Sequence, residues 1–124
     1  MTLPDLAAEV TRHRQAKREA QARLDAAVLA EVVAAMVPVP GRAWEVVYPS
    51  SASLGMGDTL LTLQFTAGGW TCFAGDRHHR WFGGDGATMP TMREAIKDWR
   101  RSTRLRRSAA MRQARTLATM ATRE

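Results

Sequence analysis

Apolar positions divide the chain into three stretches of different period. From Leu3 to about Val37 they recur at helical spacing. Leu24, Ala27, Val28, Leu29, Val32, Val33, Ala35 and Met36 make the second half apolar over most of its girth, whereas Thr11 to Arg23 carries only Ala16, Ala20 and Ala22. The spacing predicts one long helix over 3–37, buried against a sheet by its C-terminal half. Thr2 is placed to cap it, Pro4 suits the first turn, Asp5 complements the dipole, and Pro38-Val39-Pro40-Gly41 stops it.

The middle stretch switches to a period of two. Leu61, Leu63 and Phe65 alternate with Thr62, Gln64 and Thr66, and 44–48 is rich in aromatic and β-branched residues. Strands are expected over 44–48, 58–66, 70–74 and 79–82, joined by turns at Ala67-Gly68-Gly69 and Gly75-Asp76-Arg77. The run Pro49 to Gly57, with Ser50-Ser51-Ala52-Ser53-Leu54-Gly55-Met56, reads as a mobile connection.

A helical period returns at Thr91. Thr91-Met92-Arg93-Glu94 is a capping box, and no glycine or proline interrupts the chain from there to Thr122. The expected fold class is α+β: a long N-terminal helix, a three- to four-stranded antiparallel meander and a long C-terminal helix, in the order α-β-β-β(-β)-α. At 124 residues the chain has room for one hydrophobic core, so 1–124 is expected to be a single domain. Two helices of about 30 residues are each longer than such a domain, which predicts overhanging helical extremities at 1–22 and 105–124.

Charge changes the picture only when divided along the chain. Residues 1–40 sum to zero, 41–89 to −1 and 90–124 to +7, so the net +6 belongs to the last quarter. Placed on one continuous helix, Arg93, Lys97, Arg100, Arg104, Arg107 and Arg115 fall within about 80° of each other. Met92, Ala95, Ile96, Trp99, Ala110, Ala114, Leu117 and Ala121 lie opposite. A stripe of guanidinium groups suits the phosphates of a nucleic acid, each fork offering several donors and each neutralised phosphate releasing counterions. The plainer interpretation is a solvated face in an arginine-rich chain.

The other candidate chemistry is sparser. Arg77, His78 and Arg80, next to Trp81 and Phe82, offer a second place for phosphate contact with aromatic stacking. His78 and His79 are adjacent and point to opposite faces of a strand, so no metal site is expected. The loop Gly83 to Thr88 has no Lys-Ser/Thr ending, and the serines of 50–53 have no matched His and Asp, so no catalytic residues and no cofactor are assigned. The lone Cys72 has no partner for a disulfide or a cysteine-based zinc cage, in keeping with a reducing cytoplasm. The longest apolar run, Ala26 to Val37, is 12 residues interrupted by Glu31, so no membrane span is expected. Asp5 and Glu9 stand where a secretory signal would carry basic residues.

The order helix, antiparallel sheet, basic helix is similar to that of the double-stranded-RNA-binding domain. Met92-Arg93-Glu94-Ala95 stands where that family has lysines, and Ser53-Leu54-Gly55-Met56 where it has a Pro-His loop. Gly69-Trp70, Gly75-Asp76, Trp81-Phe82, Thr91 and Glu94-Ala95 also resemble small β-β-β-α proteins of phages and mobile elements. The expectation is a non-enzymatic, cytoplasmic nucleic-acid-binding accessory protein acting through the basic helix. The alternative is a protein-protein interaction module, an inhibitor, adaptor or subunit, whose basic stripe meets an acidic partner surface. A homo-oligomer is compatible with either.

Overall fold

A computed structural model describes residues 1–77, 81–82, 86–104 and 108–123, with backbone alone for Trp81 and Phe82. The protein is α+β. Helix α1 (Leu3–Ala35) precedes strands β1 (Trp44–Val47), β2 (Ser51–Met56), β3 (Thr59–Thr66), β4 (Gly69–Asp76) and β5 (Trp81–Phe82), followed by helices α2 (Met92–Thr103) and α3 (Ala109–Ala121). The strands form one antiparallel sheet in the order β1-β2-β3-β4-β5, a meander in which each pairs with its chain neighbour.

Local chemistry fixes the element ends. Thr2 and Asp5 make a reciprocal capping box: the Asp5 N–H donates to Thr2 Oγ1 at 3.2 Å, and the Thr2 N–H donates to Asp5 Oδ2 at 3.0 Å. The β3–β4 hairpin turns on Ala67 and Gly68, at φ 47° and 80°, a left-handed pair that matches strand twist. Gly69 is required next to it, because a Cβ there would meet Thr88 at 2.7 Å. Paired backbone hydrogen bonds of 2.7 Å between Trp70 and Met89 hold the returning chain against β4 and deliver it to Thr91.

Register sorts the sheet into two faces. Leu54, Leu61 and Ala74 stand side by side, as do Ala52, Leu63 and Cys72, and all are buried. They form one apolar cluster with Val28, Val32 and Met36 of α1, Ile96 and Trp99 of α2, and Met111, Ala114, Leu117 and Ala121 of α3. Every sheet residue in that cluster belongs to this face, so all three helices cover one side. The opposite face carries Ser51, Gln64 and Thr71 in one row and Ser53, Thr62 and Phe73 in the next. Among the described residues no helix lies on it.

Three features depart from the sequence expectation. Residues 51–56 are a strand, not a mobile connection: β2 is hydrogen-bonded on both sides, and its small residues are buried, with Ser53 and Thr62 sharing a 2.6 Å hydroxyl–hydroxyl bond. The C-terminal helix is two helices. Ser108 starts the second as its N-cap, accepting the Met111 N–H at 3.1 Å. The expected overhang of 105–124 therefore does not hold for 109–121. Ala114, Leu117, Ala118 and Ala121 are fully buried against the sheet, because that turn of helix is apolar over a wide arc. The Val37 N–H donates to Ala121 O at 2.8 Å, joining the exit of α1 to the last turn of α3. At the other end α1 has no buried residue before Asp25, so its first half is a solvent-exposed arm.

Candidate nucleic-acid interface

Helix α2 is oriented by what it buries. Ala95, Ile96, Trp99 and Thr103 face the core, which turns Arg93, Lys97 and Arg104 outward and leaves Arg100 half-buried at the margin. The threonine half of the predicted capping box forms, the Glu94 N–H donating to Thr91 Oγ1 at 3.1 Å. From Arg93 to Arg104 the basic row runs about 16.5 Å at ~1.5 Å per residue. One strand of B-form duplex carries about five phosphates over that axial length.

The fold adds to this row from α3. A groove of about 490 Å³ lies between the helices, lined by Arg93, Glu94, Ile96, Lys97 and Arg100 on one wall and Thr119, Thr122 and Arg123 on the other. A smaller recess of about 320 Å³ continues it past Arg100, Arg115, Thr116, Thr119, Met120 and Arg123. The two share Arg100, Thr119 and Arg123 and form a trough with five cationic side chains, one carboxylate and three threonine hydroxyls. Arg123 was not singled out in the sequence, because its role depends on α3 folding back beside α2.

Arg115 has a different position from the one its sequence spacing predicted. On a continuous helix it would share the stripe of Arg93 and Lys97. With the helix broken, its half-buried Nη1 instead donates to the Arg100 carbonyl and, at 3.1 Å, to Thr103 Oγ1. It closes the C-terminal end of α2, where unpaired carbonyls attract a cation.

The second predicted contact does not join this trough. Arg77 follows β4, and its Nε donates to Gly57 O at 3.0 Å. It lines a separate recess with Arg42, Glu45 and Gly55. His78, Arg80 and Arg107 lie outside the described residues. Among the described residues no three His, Cys, Asp or Glu side chains are grouped as metal ligands would be. Cys72 is fully enclosed, and burial, aided by the Asp98 charge, pushes its thiol far above the ordinary range, so it stays protonated and is not a nucleophile.

A further basic site was missed in the sequence. Arg14, Lys17, Arg18, Gln21 and Asp25 share one stripe of α1, and with Ala22 and Tyr48 they line a cleft of about 630 Å³. Acidic and basic residues cancel over 1–40, which hid the site. A helical wheel would have exposed it, since Asp5, Glu9, Glu19 and Glu31 all lie away from this stripe.

Among the described residues no helix is long and apolar enough to cross a membrane. Comparison with protein-family models, curated proteins and solved structures returned no match for this chain.

Proposed function

We propose that the protein is a non-enzymatic, cytoplasmic accessory protein that binds the phosphate backbone of a nucleic acid through α2 and the adjoining edge of α3. The supporting observation is the trough in which Arg93, Lys97, Arg100 and Arg123 converge beside the exposed Arg104, with Glu94 the one carboxylate in its lining among the described residues. Guanidinium and ammonium groups pair with phosphate oxygens, and the exposed hydroxyl of Thr119 supplies a short-range donor. Contacts of this class fix position and register on a duplex without reading its sequence.

The test is an anisotropy titration with short duplex DNA and duplex RNA across a salt series. Five neutralised phosphates give a slope of log K against log[salt] of about −4 to −5 on B-form DNA. The Arg93/Lys97/Arg100→Glu variant should lose this binding, and a slope near zero for the parent would overturn the proposal. A second reading, a protein-interaction module, is favoured by one observation. Leu3, Leu6 and Val10 form an apolar row on the exposed arm of α1, with relative exposures of 82%, 44% and 47%. Saturable binding to one protein with weak salt dependence would select that reading instead.

A further inference from the structure

The α1 cleft differs from the α2–α3 trough in having an aromatic ring beside its cations. Tyr48 sits at the tip of the β1–β2 hairpin with 74% of its surface exposed. The tip is fastened to α1 by a compact network. Asp25 Oδ1 accepts the Ser50 N–H at 2.6 Å and Gln21 Nε2 at 2.8 Å, while Gln21 Nε2 also reaches Ser50 Oγ at 3.0 Å. Asp25 and Ser50 are buried, so the ring is presented on a braced support, in which Gln21 follows Lys17 and Arg18 by one helical turn.

Tyr48 also lines a second recess, of about 510 Å³, on the sheet face that no helix covers among the described residues. There it is joined by the half-buried Phe73 and Gln64, over a floor of buried Ser51, Thr62 and Thr71 in which Ser51 Oγ donates to Pro49 O and Thr62 shares its hydroxyl bond with Ser53. The two recesses meet at Tyr48, so a path leads from three cations, past an exposed ring, toward a second, half-buried ring on the sheet. Bases stacked inside a duplex cannot reach such rings, whereas unpaired bases can, and every base has a face to stack.

We infer that the α1–Tyr48 cleft binds single-stranded nucleic acid, with phosphates held by Arg14, Lys17 and Arg18, one base stacked on Tyr48, and the strand continuing over the sheet face toward Phe73. The inference rests on the nucleic-acid reading above but uses a different surface, so the two fail separately. It assigns the α2–α3 trough to paired backbone and this cleft to an unpaired segment beside it.

The test uses the full chain with fluorescein-labelled dT12 and U12, each compared with a blunt duplex. Tyr48→Ala should weaken binding of the single strands about tenfold, the loss carried by one base–aromatic stack, and leave the duplex unaffected. Tyr48→Phe should bind like the parent. Arg14/Lys17/Arg18→Ala should reduce the single-strand salt slope by about 2. An unchanged circular dichroism spectrum establishes that each variant is folded, as expected for exposed positions. Equal affinity of parent and Tyr48→Ala for both single strands, or equal losses on duplex and single strand, would overturn the inference. Tyr48-dependent strand binding that survives Arg93/Lys97/Arg100→Glu would support it, even if no duplex binds and the α2 reading falls.

Discussion

Arg115 offers a direct test of how the broken C-terminal helix reassigns charge. Its Nη1 bonds to the Arg100 carbonyl and the buried Thr103 hydroxyl, so its cation is occupied inside the protein. Arg115→Met keeps much of the apolar stem and removes the donors. A hydrogen bond from a charged group contributes about 1.5–3 kcal/mol, and a cation at a helix C-terminus about 0.3–1 kcal/mol, partly the same effect. A loss of roughly 2–3 kcal/mol is expected. With an unfolding entropy of ~2.1 cal/mol/K per residue over 124 residues, the melting temperature should fall by about 8–12 °C. Thermal unfolding followed by far-UV circular dichroism measures this, and the salt slope of duplex binding should match the parent's. An unchanged melting temperature with a slope reduced by about 0.9 would refute the reasoning and return Arg115 to the phosphate-contacting set.

Two further perturbations probe α1. Asp25→Ala should cost about 2–3 kcal/mol in urea unfolding, because it orphans the Ser50 N–H and the Gln21 amide at a buried junction; a loss under about 0.5 kcal/mol would show that the network is dispensable. The Asp5 carboxyl, which accepts the Thr2 N–H and then its hydroxyl, is held below its ordinary value of 3.8. Its folded pKa is depressed, so its contribution to the α1 start is complete above that value and lost as pH falls through the lower one. A carboxyl NMR titration should find the midpoint below 3.8, and Thr2→Ala should raise it only part of the way, since the stronger backbone N–H donor remains. A midpoint unmoved by Thr2→Ala would remove the hydroxyl from this account.

Much of the fold was readable from periodicity and end chemistry. Pro38 and Pro40 mark the end of α1, Leu61-Leu63-Phe65 mark a face of β3, and Thr91 marks the start of α2. β2 was not readable. Ser-Ala-Ser-Leu-Gly-Met has low intrinsic strand preference, and it is a strand because two neighbours hydrogen-bond to it and its small side chains fit between them. No glycine or proline marks the new helix start at Ser108, so a wheel drawn straight through it kept Arg115 in phase with Arg93. The candidate site was correspondingly half visible. Arg93, Lys97, Arg100 and Arg104 lie on one short helix and could be found from sequence alone, whereas Arg123 joins them only through tertiary folding. The α1 cations were hidden by a net charge of zero.

The hydrogen bond from Val37 to Ala121 bears on the order in which the chain assembles. In the meander every strand pairs with its predecessor, so each hairpin closes a short loop at small entropic cost. Joining the exit of α1 to the last turn of α3 closes the chain from Val37 to Ala121, and contacts of such long sequence separation are favourable only once the intervening sheet exists. The bond is thus a late one: it joins α1, which packs on the nearby β1 and β2, to α3, which packs on β2 and β3 from much farther along the chain.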